Sequence, residues 1–83
     1  MHRSAFRHGV EEADVRNAVH FAFVIDEMDP DEDPVRTIAV GPDRSGNLLE
    51  VIWVDGDDGE PRVIHAMKLR PKYFHLLSNE DPS

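Results

Sequence analysis

Seven residues in the middle of the chain, Leu48-Leu49-Glu50-Val51-Ile52-Trp53-Val54, constrain the fold more than any other stretch. Gly41-Pro42-Asp43-Arg44-Ser45-Gly46-Asn47 stands before them and Asp55-Gly56-Asp57-Asp58-Gly59 after them. Glycine, proline, aspartate and asparagine at that density are turn chemistry. An apolar, β-branched run of this length between two turns reads as a strand, and its nearly continuous apolarity makes it a central one. The flanking apolar segments 35–40 and 62–67 then return on either side of it through short connections, which is an antiparallel meander.

The rest of the chain supplies helices. Val15, Ala18, Val19 and Ala22 fall at i, i+3, i+4 and i+7, the stripe of an amphipathic helix over 11–20. Glu11, Glu12 and Asp14 lie in its first turns, where the helix dipole favours negative charge. Before it, residues 4–8 read as a short helical turn stopped at Gly9. Residues 21–25, aromatic and β-branched, read as a further strand. The block 26–34 is charged and interrupted by Pro30 and Pro34, which suits a loop. Pro71 is placed to open a last helix over 71–77, with a polar, disordered tail over 78–83. The expected architecture is one small α+β domain over 1–77, with two N-terminal helices, a three- to four-stranded antiparallel meander and a short C-terminal helix. Helices cover one face of the sheet, and the other face or an edge is left for a partner or substrate.

Composition narrows what such a domain does. With 83 residues it buries a modest core and has little room for a deep cavity of its own. It has no cysteine, so neither disulfides nor thiolate metal sites contribute. That fits a cytoplasmic protein, as does the absence of any apolar run near the length of a bilayer span or of a signal-peptide core. The five histidines lack the spacing of a zinc site, the 55–60 loop lacks the register of a calcium loop, and no phosphate-binding glycine loop or nucleophile elbow occurs. No cofactor or metal is expected. A net charge of −8 argues against broad nucleic-acid binding. The acid is concentrated in Asp26, Glu27, Asp29, Asp31, Glu32 and Asp33 and again in Asp55, Asp57, Asp58 and Glu60. The field elsewhere can therefore be positive.

It is positive in one place by sequence. Arg62, Lys68, Arg70 and Lys72 cluster with His65 where an apolar strand runs out into an elbow and a helix. Lysine and arginine are donors suited to phosphate, and histidine moves protons near neutral pH. The bland reading of the same residues is a solvated helix entry and a packed sheet histidine. His8, before Gly9, has a bland reading too, as a histidine favouring a helix dipole. His20 and His75 read as surface or helix-end residues, and Trp53 as core.

The succession Arg7-His8-Gly9-Val10, Val15, Ala18-Val19, then Ile38-Ala39-Val40-Gly41, then Gly46-Asn47-Leu48-Leu49-Glu50-Val51, then Val63-Ile64-His65-Ala66-Met67-Lys68-Leu69-Arg70 resembles the BrnT family of bacterial toxins. That family shows a Lys-His-Gly-Val element before a helix, a strand ending in Ile-Gly, an apolar strand, and a strand ending in Ser-Ala-Arg-Arg. The likeness is one of order and spacing over about residues 7–73. It implies a small RelE-like fold, an mRNA-cleaving ribonuclease, and a cognate antitoxin that neutralises the toxin and binds DNA.

Metal-independent RNA cleavage needs a base for the 2′-hydroxyl, cations on the phosphate and an acid for the leaving oxygen. On that expectation His65, Lys68 and Arg70 are the catalytic candidates. His8, Lys72 and Tyr73 bind substrate, Tyr73 by stacking or proton donation. Strand alternation puts Val63, His65 and Met67 on one face and Ile64, Ala66 and Lys68 on the other, so His65 and Lys68 converge only if the backbone turns at Met67. The alternative is a non-catalytic interaction module of the same fold, a degenerate toxin or partner-binding protein, whose open sheet and acidic loops dock a basic protein. Edge strands on so small a sheet also leave homodimerisation open.

Overall fold

A computed structural model describes residues 9–77. Helix α1 (Glu12–His20) leads into four strands, β1 (Val24–Glu27), β2 (Arg36–Pro42), β3 (Leu48–Asp55) and β4 (Pro61–Lys68). A 3-10 turn (Pro71–Tyr73) and a short helix α2 (Phe74–Leu77) follow. The strands form one antiparallel sheet in the order β1-β2-β3-β4, so the apolar run lies inside the sheet as its sequence requires. The α+β meander with a short C-terminal helix is thus present, with one helix ahead of the sheet among the described residues. The expected turn at 4–8, His8 and the tail from residue 78 lie outside the described residues.

Two boundaries differ from the sequence reading. Phe21 caps the end of α1 and Ala22 follows it, their N–H groups donating to the carbonyls of Asn17 and Val19. The first strand therefore starts at Val24. It also runs on through Asp26 and Glu27, which the charge pattern assigns to a loop. An exposed edge strand accommodates such charges, because its side chains never leave water.

Helix α1 lies on β2 and β3. Val15 and Ala18 meet Leu49, Val51, Val63 and Ala66 in a buried cluster, with Val10, Val19 and Trp53 packed at its margin. Each fully buried valine or leucine contributes about 1.5–3 kcal/mol. The contact is close because Gly41 has no side chain: a Cβ there would stand 2.0 Å from the carbonyl oxygen of Ala18. Asn17 ties the same region by donating to the Pro42 carbonyl at 2.9 Å. Arg44, in the β2–β3 turn, grips the start of the helix through Asp14 and Glu11 at 2.8 and 2.9 Å. In both hairpin turns a glycine takes positive φ, Gly46 at 92° and Gly59 at 82°.

One irregularity decides which side chains share a face. Ile52 pairs with His65 but Trp53 pairs with Val63, so Ile64 is an extra residue in β4. This bulge resets the alternation. Val63 joins Ala66 on the helix side, His65 and Met67 point to the opposite side, and Ile64 is left exposed. Simple parity groups Val63 with His65, and the bulge corrects that grouping.

Candidate functional site

The site lies on the face of the sheet away from α1. Register places Val40, Glu50 and Met67 in one row there and Ile38, Ile52 and His65 in the next. Most of this surface is aliphatic. Glu50 is the exception, a carboxylate with no solvent exposure. Burying an unpaired carboxylate is prohibitive, so its partners explain its presence.

Those partners are Arg70 and His65. Glu50 Oε1 accepts the backbone N–H of Arg70 at 2.9 Å. Oε2 accepts the Arg70 side chain through Nε at 2.9 Å and through its terminal nitrogen at 2.5 Å. His65 Nε2 lies 2.8 Å from the same Oε2. Burial pushes the Glu50 carboxyl upward, but hydrogen bonds from the Arg70 side chain and backbone and from His65 outweigh it and hold the group below its ordinary value. Glu50 is therefore an ionised acceptor, and the His65 nitrogen facing it must carry the proton. Arg70 is in turn held more firmly protonated by its bond to Glu50.

The elbow after β4 follows from the same contact. Leu69 still pairs with β3, its N–H donating to Leu48. Arg70 leaves the sheet, extended, with its N–H taken by Glu50 rather than by a strand. Pro71 then opens the 3-10 turn, which carries Lys72 and Tyr73 beside the cluster. The Tyr73 ring is within cation–π distance of two side chains, its centroid 5.6 Å from the Arg70 guanidinium carbon and 5.1 Å from Lys72 Nζ. A groove of about 180 Å³ opens beside the ring, with Asp26, Met28, Ile38 and Leu76 in its walls.

Of the residues picked out by sequence, the structure brings together His65, Arg70, Lys72 and Tyr73. Lys68 is not among them. Strand β4 continues straight through it, and Lys68 pairs with Leu49, a member of the helix-side core, so its side chain leaves on the opposite face. There it borders a separate hollow of about 310 Å³ with Asp14 and Asp43. Trp53 is half-buried and, with Val19 and Val63, lines an apolar groove on that side. Sequence reasoning missed Glu50 altogether. The signal available was a lone carboxylate on the otherwise apolar central strand, at a position whose neighbours are all core.

Among the described residues, no group of three or more histidine, aspartate or glutamate side chains is placed to hold a metal ion. None of the helices among the described residues is long and apolar enough to cross a membrane. Compared with known proteins, the chain matches no family model, no curated protein and no solved structure.

Proposed function

We propose that this protein is a BrnT-like toxin of a bacterial type II toxin–antitoxin pair with a RelE-like fold, a metal-independent endoribonuclease working at the His65–Arg70–Tyr73 face. The observation that supports this reading is the shared grip of Glu50 on Arg70 and His65. It joins a cation and a proton-transfer group on one surface, held from a buried point.

The chemistry runs as follows. His65, its ring oriented by Glu50, takes the proton of a ribose 2′-hydroxyl as the 2′-oxygen–phosphorus bond forms. Arg70 and Lys72 neutralise the phosphoryl oxygens; a guanidinium has five N–H donors, and the Arg70 side chain is 37% exposed while still holding Glu50. Tyr73 gives its proton to the 5′-oxygen as the phosphorus–5′-oxygen bond breaks. The products are a 2′,3′-cyclic phosphate and a 5′-hydroxyl. Single-stranded RNA is the substrate class, since its bases are open to stacking and hydrogen bonding in the groove beside Tyr73. A cognate antitoxin would neutralise the activity by covering this face.

A second reading is favoured by the net charge of −8, which opposes phosphate binding. In it the domain is a non-catalytic interaction module of the same fold. Induced expression in a bacterial host, with cleavage of a single-stranded RNA by the purified protein in EDTA, separates the two. Growth arrest and cleavage that His65→Ala abolishes support the ribonuclease. Absence of both from well-folded wild type leaves the interaction module.

A further inference from the structure

The outer edge of the sheet at β1 carries a surface that the reaction does not use. Phe21, Phe23 and Ile25 are 58%, 67% and 54% exposed, large apolar side chains at alternate positions. Register sets Ile25 beside Ala39, itself beside Val51, so Ile25 is on the α1 side of the sheet at the edge opposite β4. Phe21 caps α1, and Phe23 stands just before β1, its N–H donating to Val40 at 2.8 Å. The N–H of Met28 donates to Arg36 at 2.8 Å, which fixes the phase of the antiparallel ladder. Residues 24 and 26 then bond inward to β2, and the main-chain groups of Ile25 and Glu27 point away from the sheet. Asp26 Oδ1 occupies the Glu27 N–H at 2.9 Å. Among the described residues, the backbone of Ile25 has no strand on that side.

Immediately after the ridge come Asp26, Glu27, Asp29, Asp31, Glu32 and Asp33. An apolar strip on an open strand edge, ending in concentrated carboxylates, selects its occupant by charge. A second copy of the chain would bring the same acidic block to the same edge, between molecules each carrying −8. We propose that β1 docks an extended segment of a basic protein partner as a fifth strand, its alternate apolar side chains on Phe23 and Ile25 and its lysines or arginines on the 26–33 block. Asp26 and Met28 also wall the groove beside Tyr73, but Ile25 stands on the face of the sheet away from the His65–Arg70 cluster, so this docking does not depend on the ribonuclease reading.

The test uses the full chain with isotope labelling and a synthetic ten-residue peptide of alternating valine and threonine ending in three lysines. Two controls replace the lysines by glutamates or place a proline at the peptide's centre. Expected are backbone shifts centred on residues 23–27, at least tenfold weaker binding between about 50 and 300 mM salt, and loss of binding to both controls. The protein variant Phe23→Thr with Ile25→Thr changes only exposed side chains and should keep its circular dichroism while binding at least tenfold more weakly. No binding of the lysine peptide, equal binding of the glutamate peptide, shifts centred elsewhere, or undiminished binding by the variant each overturns the proposal. So does a dimer in sedimentation whose interface is β1.

Discussion

Glu50 holds Arg70 twice, by its backbone N–H through Oε1 and by its guanidinium through Oε2. One carboxylate on the central strand thus fixes both where the chain leaves the sheet and where its cation points. The same Oε2 lies against His65, so the elbow and the face are set by a single side chain. Arg70 and His65 are five residues apart along a strand that then bends, and Glu50 is the side chain both of them meet.

Replacing Glu50 by glutamine keeps the volume and removes the charge. Hydrogen bonds to charged groups contribute about 1.5–3 kcal/mol, and Glu50→Gln should lower unfolding stability by about that amount in urea titration. A loss below about 0.5 kcal/mol would mean that the cluster does not hold the C-terminal segment to the sheet.

Acid should act through the same group. The Glu50 carboxyl is held below its ordinary value of 4.5 in the folded protein, because the bonds from Arg70 and His65 outweigh burial. A depressed carboxyl binds more protons unfolded than folded, so its stabilisation is complete above about pH 5 and disappears as pH falls through the lower folded value. The difference in urea midpoint between wild type and Glu50→Gln should therefore narrow steadily below pH 4.5. Taking the difference removes the exposed pairs of Glu12, Asp14 and Asp58, whose carboxyls are also lowered. A gap unchanged down to pH 3 would contradict the assignment.

Two glycines that look alike in sequence should behave differently. A Cβ on Gly41 meets the backbone carbonyl of Ala18 at 2.0 Å, and a helix backbone does not yield cheaply. Gly41→Ala should cost about 1–3 kcal/mol by pushing α1 off the sheet. At Gly56 the nearest atom is Arg62 Nε at 2.5 Å, the far end of an exposed side chain that swings away. Gly56→Ala should remain within about 0.5 kcal/mol of wild type. Thermal melts of the pair decide it, and equal losses would refute the close-approach account.

The meander was legible because turn chemistry brackets each apolar run and because β3 is apolar along nearly its whole length. Helix α1 was legible from its stripe. The bulge at Ile64 was not, since an extra residue in an apolar strand leaves composition unchanged and only the pairing partner reveals it. Its consequence was nevertheless decisive for faces: it puts Val63 with the core and leaves His65 with Glu50. The extension of β1 into Asp26 and Glu27 was hidden because charge reads as loop wherever the edge position of a strand is unknown. Glu50 escaped notice for a related reason, that its partners lie 15 and 20 residues away in sequence.

The faces also rank the cationic cluster, if RNA cleavage is the activity. His65, Arg70 and Lys72 stand on or beside the Glu50 surface, whereas Lys68 leaves on the helix side beside Asp14 and Asp43. General acid–base groups typically supply 10²- to 10⁴-fold in rate, so His65→Ala should lower cleavage of a single-stranded RNA by about that factor. Arg70→Lys keeps a cation but loses the planar fork that reaches Glu50 and a phosphate together, and should also lose most of the rate. Lys68→Ala should retain activity within about threefold, with unchanged growth arrest on expression. Equal loss in Lys68→Ala and His65→Ala, with both variants folded, would show that substrate reaches around the sheet edge to the helix side, and the site would have to be redrawn across β4.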